Sequence, residues 1–222
     1  MEAIECILTR NSVRKFKPDV VQKKTLTDLL EAAMRSPSYR NSQPWSAVVV
    51  SGEKKDALSR LLVDLIEKET PLRPDIPEPK SWPQEILERM KASGAKRTQT
   101  LGVGAALSPA ETLKKSKLAN SRYYGAPHVI FIYQDSALPL WSLFDIGCFA
   151  QTLMLAAKAL GLGTVPQAYL TDYSPDVKNF LGIPDSKRLV LGISIGYPDV
   201  AEKAAVYRSD RLPLDEVVRW VE

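Results

Sequence analysis

Apolar positions recur at helical spacing in several stretches of the chain. Glu2 to Thr9 reads as a short helix. Gln22 to Arg35 reads as a longer one, with Leu26, Leu29, Leu30, Ala33 and Met34 on one face and Pro37 as its stop. Glu53 to Lys68 carries a stripe of Leu58, Leu61, Leu62, Leu65 and Ile66. Ser108-Pro109-Ala110-Glu111 combines a cap, an early proline and a capping-box glutamate, so a helix is expected from there to about Tyr123. Trp141 to Leu160 is apolar nearly all round, which marks a central buried helix ended by Gly161. Ser174-Pro175 opens a further helix that Gly182 and Pro184 close.

Strand patterns alternate with these helices. Trp45 to Val50, Val129 to Tyr133 and Arg188 to Tyr197 are short, β-branched or apolar runs, and Thr164 to Tyr169 is a short strand or an extended loop. The stretch Pro71 to Pro83 holds five prolines and excludes regular structure. No repeat is visible. The pattern predicts one α+β domain over residues 1–222, with an excursion over residues 67–107.

Composition sharpens this by scarcity. Of 222 residues one is histidine (His128) and two are cysteine (Cys6 and Cys148), far apart in sequence. A zinc site of Cys and His ligands is not expected, and a protein-only catalyst would have one histidine to use. Enzyme chemistry, if present, is expected from an organic cofactor. The net charge of +4 admits an anionic ligand without demanding nucleic acid. No membrane span is expected, since the long apolar run contains Asp145, Gln151 and Lys158. Unpaired cysteines and the lack of an apolar signal segment in the first twenty residues fit a cytoplasmic protein.

Several motifs carry two readings. Gly192-Ile193-Ser194-Ile195-Gly196 matches G-x-S-x-G, but its serine lies within a strand and His128 precedes it, so a hydrolase elbow is rejected. Gly102-Val103-Gly104 and Gly161-Leu162-Gly163 lack the strand-to-helix context of a dinucleotide loop. Arg10, Ser12 and Arg14 are spaced so that an extended chain projects all three to one side, a grip for phosphate or polyol, although a solvated basic arm reads equally well. Pro37 to Trp45 is a polar loop, either a plain turn or a set of donors and acceptors for a flat heteroaromatic ring. Arg208 and Arg211 form a second basic cluster. His128 and Cys148 are expected in the core, and Asp145 is expected to brace an arginine or cap a loop.

Taken together, Arg10-Asn11-Ser12-Val13-Arg14, Leu29 to Met34, Pro37 to Trp45, Gly125 to His128, Leu155 to Gly163 and Arg211-Leu212-Pro213 resemble the nitroreductase family of FMN-dependent oxidoreductases. The stretch Asn120 to Pro127 is most similar to the branch that includes nitrobenzoate reductases. The resemblance implies a central, mostly antiparallel sheet flanked by helices, in an interlocked homodimer with an FMN site at each end of the interface. It assigns Arg10, Ser12 and Arg14 to the ribityl chain, phosphate and pyrimidine edge, and Arg208 and Arg211 to the phosphate. Pro37, Ser38, Asn41 and Gln43 fall on the loop given by the other subunit, Asn120 on a flavin contact, and Val165, Pro166, Gln167 and Ala168 on the loop beside flavin N5. Gln167-Ala168 replaces a Glu-Gly pair found in another branch. Tyr39, Trp82 and Tyr123 are expected to line the substrate space, with residues 67–107 as the lid.

The chemistry implied is ping-pong: NADH or NADPH reduces the flavin, leaves, and a nitroaromatic compound or quinone takes its place. A nitro group would pass through nitroso to hydroxylamine, with no protein acid or base needed. Reductive dehalogenation, flavin-destroying chemistry and a non-catalytic flavin-binding module are the alternatives on the same fold; a nucleic-acid binder is more remote.

Overall fold

The computed structural model describes residues 2–101 and 107–222. The Gly102–Gly104 fragment lies outside the described residues. Four strands form one sheet in the order β1-β2-β4-β3: β1 (Ser46–Ser51), β2 (His128–Asp135), β3 (Gly163–Gln167) and β4 (Lys187–Gly196). All three strand pairings are antiparallel. The central strand β2 explains its unbroken apolar run. Val129 and Phe131 face one layer with α3 (Gly52–Glu67), while Ile130 and Ile132 face the other with α2 (Lys23–Ala33) and α6 (Ser142–Ala159). Both faces of the sheet are covered, so alternation of polar and apolar residues is lost.

The predicted helices are present, among them α1 (Ala3–Thr9), α5 (Pro109–Ser121) and α7 (Ser174–Leu181). The Ser108–Glu111 capping box closes in both directions. Gly161 and Gly182 end α6 and α7 with φ of 76° and 68°, the left-handed conformation that glycine adopts without strain. Among the described residues no helix is long and apolar enough to cross a membrane.

The excursion is not uniform. An 18-residue helix, α4 (Gln84–Leu101), follows the prolines. Local pattern predicts no helix within residues 67–107, because α4 buries no residue and so carries a weak apolar stripe. Before it, the chain is pinned to the domain. The Arg73 amide donates to the Asp172 carbonyl, and the Asp75 carboxylate accepts from Lys178 Nζ at 3.2 Å and from the Leu189 amide at 2.7 Å.

His128 is buried, and its Nε2 accepts the Val21 amide at 3.0 Å. The neutral ring therefore keeps its proton on Nδ1, which has no partner. Burial holds its pKa below the ordinary value, and Lys55 adds to this. A depressed histidine pKa means that the unfolded chain binds the proton more readily. Stability is thus expected to be full above the free value of about 6.5 and to fall as pH drops through it. Urea unfolding at pH 7.5 and 5.5 checks this, with a smaller difference expected for His128→Gln.

Candidate active site

Residues Arg10 to Arg14 run beside β3, the sheet's edge strand. Ser12 bridges Thr164, the Val13 amide donates to the Thr164 carbonyl at 3.0 Å, and the Arg14 amide donates to the Ala204 carbonyl at 3.0 Å. Asn11 Nδ2 donates to the Ala205 carbonyl at 2.8 Å. The segment is thereby stitched between β3 and α8 (Lys203–Val206), which leads into the C-terminal arm. Gly163 makes the close approach possible, since a Cβ there would lie 2.7 Å from Val13 Cγ2. Gly163→Ala is expected to displace the segment, costing about 1–3 kcal/mol of stability by overpacking. Thermal unfolding alongside a flavin titration checks this, and both stability and flavin affinity should fall.

This arrangement brings Arg10, Ser12, Arg14, Arg208 and Arg211 around one cavity of about 280 Å³, with Tyr207 in its wall. Burial lowers the Arg10 pKa, and the Arg211 charge lowers it further. Arg10 Nη1 is buried without a partner. Arg211 Nη1 donates to the carbonyls of Ser209 and Asp210, which folds its own arm around it. Four guanidinium groups lining one cavity repel one another, and an anion between them relieves that cost.

Arg14 also lines a second cavity, of about 310 Å³, whose floor is Val165, Pro166, Gln167 and Ala168. Thr164 turns its carbonyl away from β4 toward Val13, and the period of two puts Pro166 on that same outer side. A proline there costs no bond of the sheet. Burial pushes the Arg14 guanidinium pKa down, Tyr124 opposes this and Arg97 of α4 adds to it.

The family model described as "Nitroreductase family" matches residues 7–197. The chain belongs to that family. It is 34% identical to nitroreductase NfnB of Mycolicibacterium smegmatis over 95% of this chain and 89% of that protein. It is 31% identical to a 4-nitrobenzoate reductase of a Nocardioides species, over 100% of this chain and 91% of that one. The crystal structure of the FMN-dependent nitroreductase NfnB from Mycobacterium smegmatis in complex with NADPH superposes with a TM-score of 0.92, at 33% identity, covering 99% of this chain and 98% of that one.

Asn120 also lines the second cavity, and the side chains of Asn120 and Gln167 turn toward each other beneath its surface. Gln167 Nε2 donates to Asn120 Oδ1 at 3.0 Å, Gln167 Oε1 accepts from Ser194, and Asn120 Nδ2 donates to Tyr124 Oη at 2.9 Å. Gln167 thus braces the floor and offers only its backbone, and Ser194 is a fully buried strand residue. Tyr123 is corrected. It was expected to line the substrate space but is 0% exposed, packed in the core, with burial raising its pKa far above the usual phenol range. Two consecutive left-handed residues, Tyr123 at φ 54° and Tyr124 at φ 52°, turn the first ring inward and bring the second to the cavity. Trp82 is 43% exposed, outside the residues lining the cavity; from the excursion, Glu78 and Arg97 reach it instead.

Pro37, Ser38, Tyr39, Asn41 and Gln43 lie on a separate exposed loop. Asp145 of α6 caps it by accepting the Tyr39 amide at 3.2 Å, as a buried carboxylate requires. The Gln43 amide donates to Ser38 Oγ at 3.0 Å. Arg40, Asn41 and Gln43 all have positive φ, so the loop is held in a strained conformation by these bonds. Within one chain this loop does not line the cavities formed by Arg10 to Arg14 and β3.

Proposed function

We propose that this chain is an FMN-dependent oxidoreductase that uses NADPH to reduce nitroaromatic compounds. The observation that carries this reading is the pair of cavities joined at Arg14, one lined by clustered arginines and one floored by the backbone of β3. The residues fit the cofactor. Arg10, Arg208 and Arg211 would hold its phosphate, where Arg10 Nη1 lacks a partner. Ser12 would meet the ribityl chain, and Arg14 with the Val165–Ala168 backbone would meet the ring. Bound FMN supplies hydride transfer between donor and acceptor. Arg14 stabilises negative charge at the ring's pyrimidine edge, and the buried Asn120–Gln167–Ser194 network keeps the floor rigid.

The nitrobenzoate reductase and NfnB relatives support a nitro group as the acceptor, and the NADPH complex of NfnB supports NADPH as the donor. The working unit is a homodimer in which the partner supplies the Pro37–Gln43 loop. Supporting this are that loop's absence from the lining of its own chain's two cavities and large exposed apolar residues: Phe144 on α6 (69% exposed) and Trp220 on the C-terminal arm (79%). The α4 segment acts as the lid, while the Arg73–Asp75 stretch anchors its base. A reducing cytoplasm suits two unpaired cysteines.

The test is steady-state NADPH oxidation with 4-nitrobenzoate and with a chlorinated benzoate. A hydroxylamine or nitroso product from the first and no halide from the second supports the reading. Halide release without nitro reduction overturns it.

A further inference from the structure

The cavity along β3 contains more positive charge than flavin placement uses. Arg14 stands where it meets the arginine cavity, and Arg97 enters from the lid helix α4. The residue before it, Lys96, is paired with Asp210 of the C-terminal arm, so its charge is already partnered. Arg97, half-buried, makes no ion pair and donates no side-chain hydrogen bond among the described residues.

Lys117 is paired with Asp172 at 2.7 Å. Glu78 lines the cavity but forms no ion pair with Arg97 among the described residues. Glu78, Arg97, Tyr124 and Tyr169 line the same cavity. With Arg14 committed to the flavin ring, Arg97 is a planar, permanently charged group facing the space an acceptor must enter. Its fork of donors matches a carboxylate in two parallel bonds, and the rings of Tyr124 and Tyr169 in the same cavity suit a flat aromatic body.

We propose that Arg97 selects the acceptor by pairing with a ring carboxylate, so that the preferred substrates are nitroaromatic acids rather than neutral nitroaromatics. This rests on the function proposed above and names the substrate class of the same site. Glu78 limits where the carboxylate can sit, because an acid placed against it would be repelled.

The test compares kcat/KM for 4-nitrobenzoate and for neutral 4-nitrobenzamide, using the FMN-loaded enzyme and NADPH. The acid-to-amide ratio is expected to exceed one. Arg97→Gln should lower that ratio about ten- to hundredfold, the worth of a charge-assisted hydrogen-bonded pair. Arg97→Lys should recover part of it, and Arg97→Glu should lower it further. An unchanged ratio in Arg97→Gln, with nitro reduction intact, overturns the role of Arg97 alone. A change confined to the anaerobic rate of flavin reduction by NADPH also overturns it and assigns Arg97 to the donor. Reduction of neither compound by the unmodified enzyme overturns both this inference and the function on which it rests.

Discussion

Arg211→Ala is expected to raise the FMN dissociation constant about ten- to hundredfold and to leave riboflavin affinity nearly unchanged. The size follows from the roughly 1.5–3 kcal/mol that a hydrogen bond to a charged group contributes. The selectivity follows from position. Arg211 lines the cavity shared with Arg10 and Arg208, whereas the second cavity, with Arg14 and the β3 floor, has no contribution from it. Riboflavin lacks the phosphate and should not sense the change. Arg14→Ala is the contrasting variant: Arg14 lines both cavities, so it should weaken FMN and riboflavin together. Equilibrium titration by flavin fluorescence measures both ligands. Equal loss of both in Arg211→Ala would place the phosphate elsewhere.

Asp75→Ala is expected to destabilise the fold by about 3–5 kcal/mol, the range for removing one partner of a buried ion pair. The Asp75 carboxylate, 20% exposed, joins the Leu189 amide and Lys178 Nζ, whose side chain is 8% exposed. Without Asp75, Lys178 retains the Lys187 carbonyl, at 3.1 Å, as its one hydrogen-bond partner among the described residues. The first residues of β4 and the base of the lid would loosen together. Urea denaturation measures the effect. Asp75→Ala combined with Lys178→Met should cost less than Asp75→Ala alone, because no buried charge is then left unpaired. A loss below about 1 kcal/mol in Asp75→Ala would show that the pair behaves as an exposed one.

The contrast between what local pattern reveals and what it hides is physical. The strands, the Ser108 capping box and the glycine stops depend on neighbours within a few residues, and all were readable. So was the convergence of Arg10, Ser12 and Arg14 on one cavity, because an extended segment puts alternate side chains on one side whatever it packs against. Asp145 was readable as a residue in need of a partner, though not that its partner is the Tyr39 amide. Tyr123 and Tyr124 could not be told apart, because the two left-handed residues that decide which ring is buried leave no periodic trace. The inward turn of Gln167 depends on Asn120 and Ser194, distant in sequence. The same is true of Asp75 and Lys178. Helix α4 escaped notice because an element that buries nothing has little apolar stripe to read, and Arg97 was hidden with it.

The central claim is that one site takes electrons from NADPH and passes them to a nitroaromatic compound through FMN. Anaerobic visible spectroscopy of the purified protein tests it in two additions. The protein should be yellow as isolated or after incubation with FMN. NADPH should bleach the flavin band, and 4-nitrobenzoate should then restore it with loss of the nitro compound. A protein that cannot retain FMN, or whose bleached flavin is not reoxidised by the nitro compound, would contradict the account.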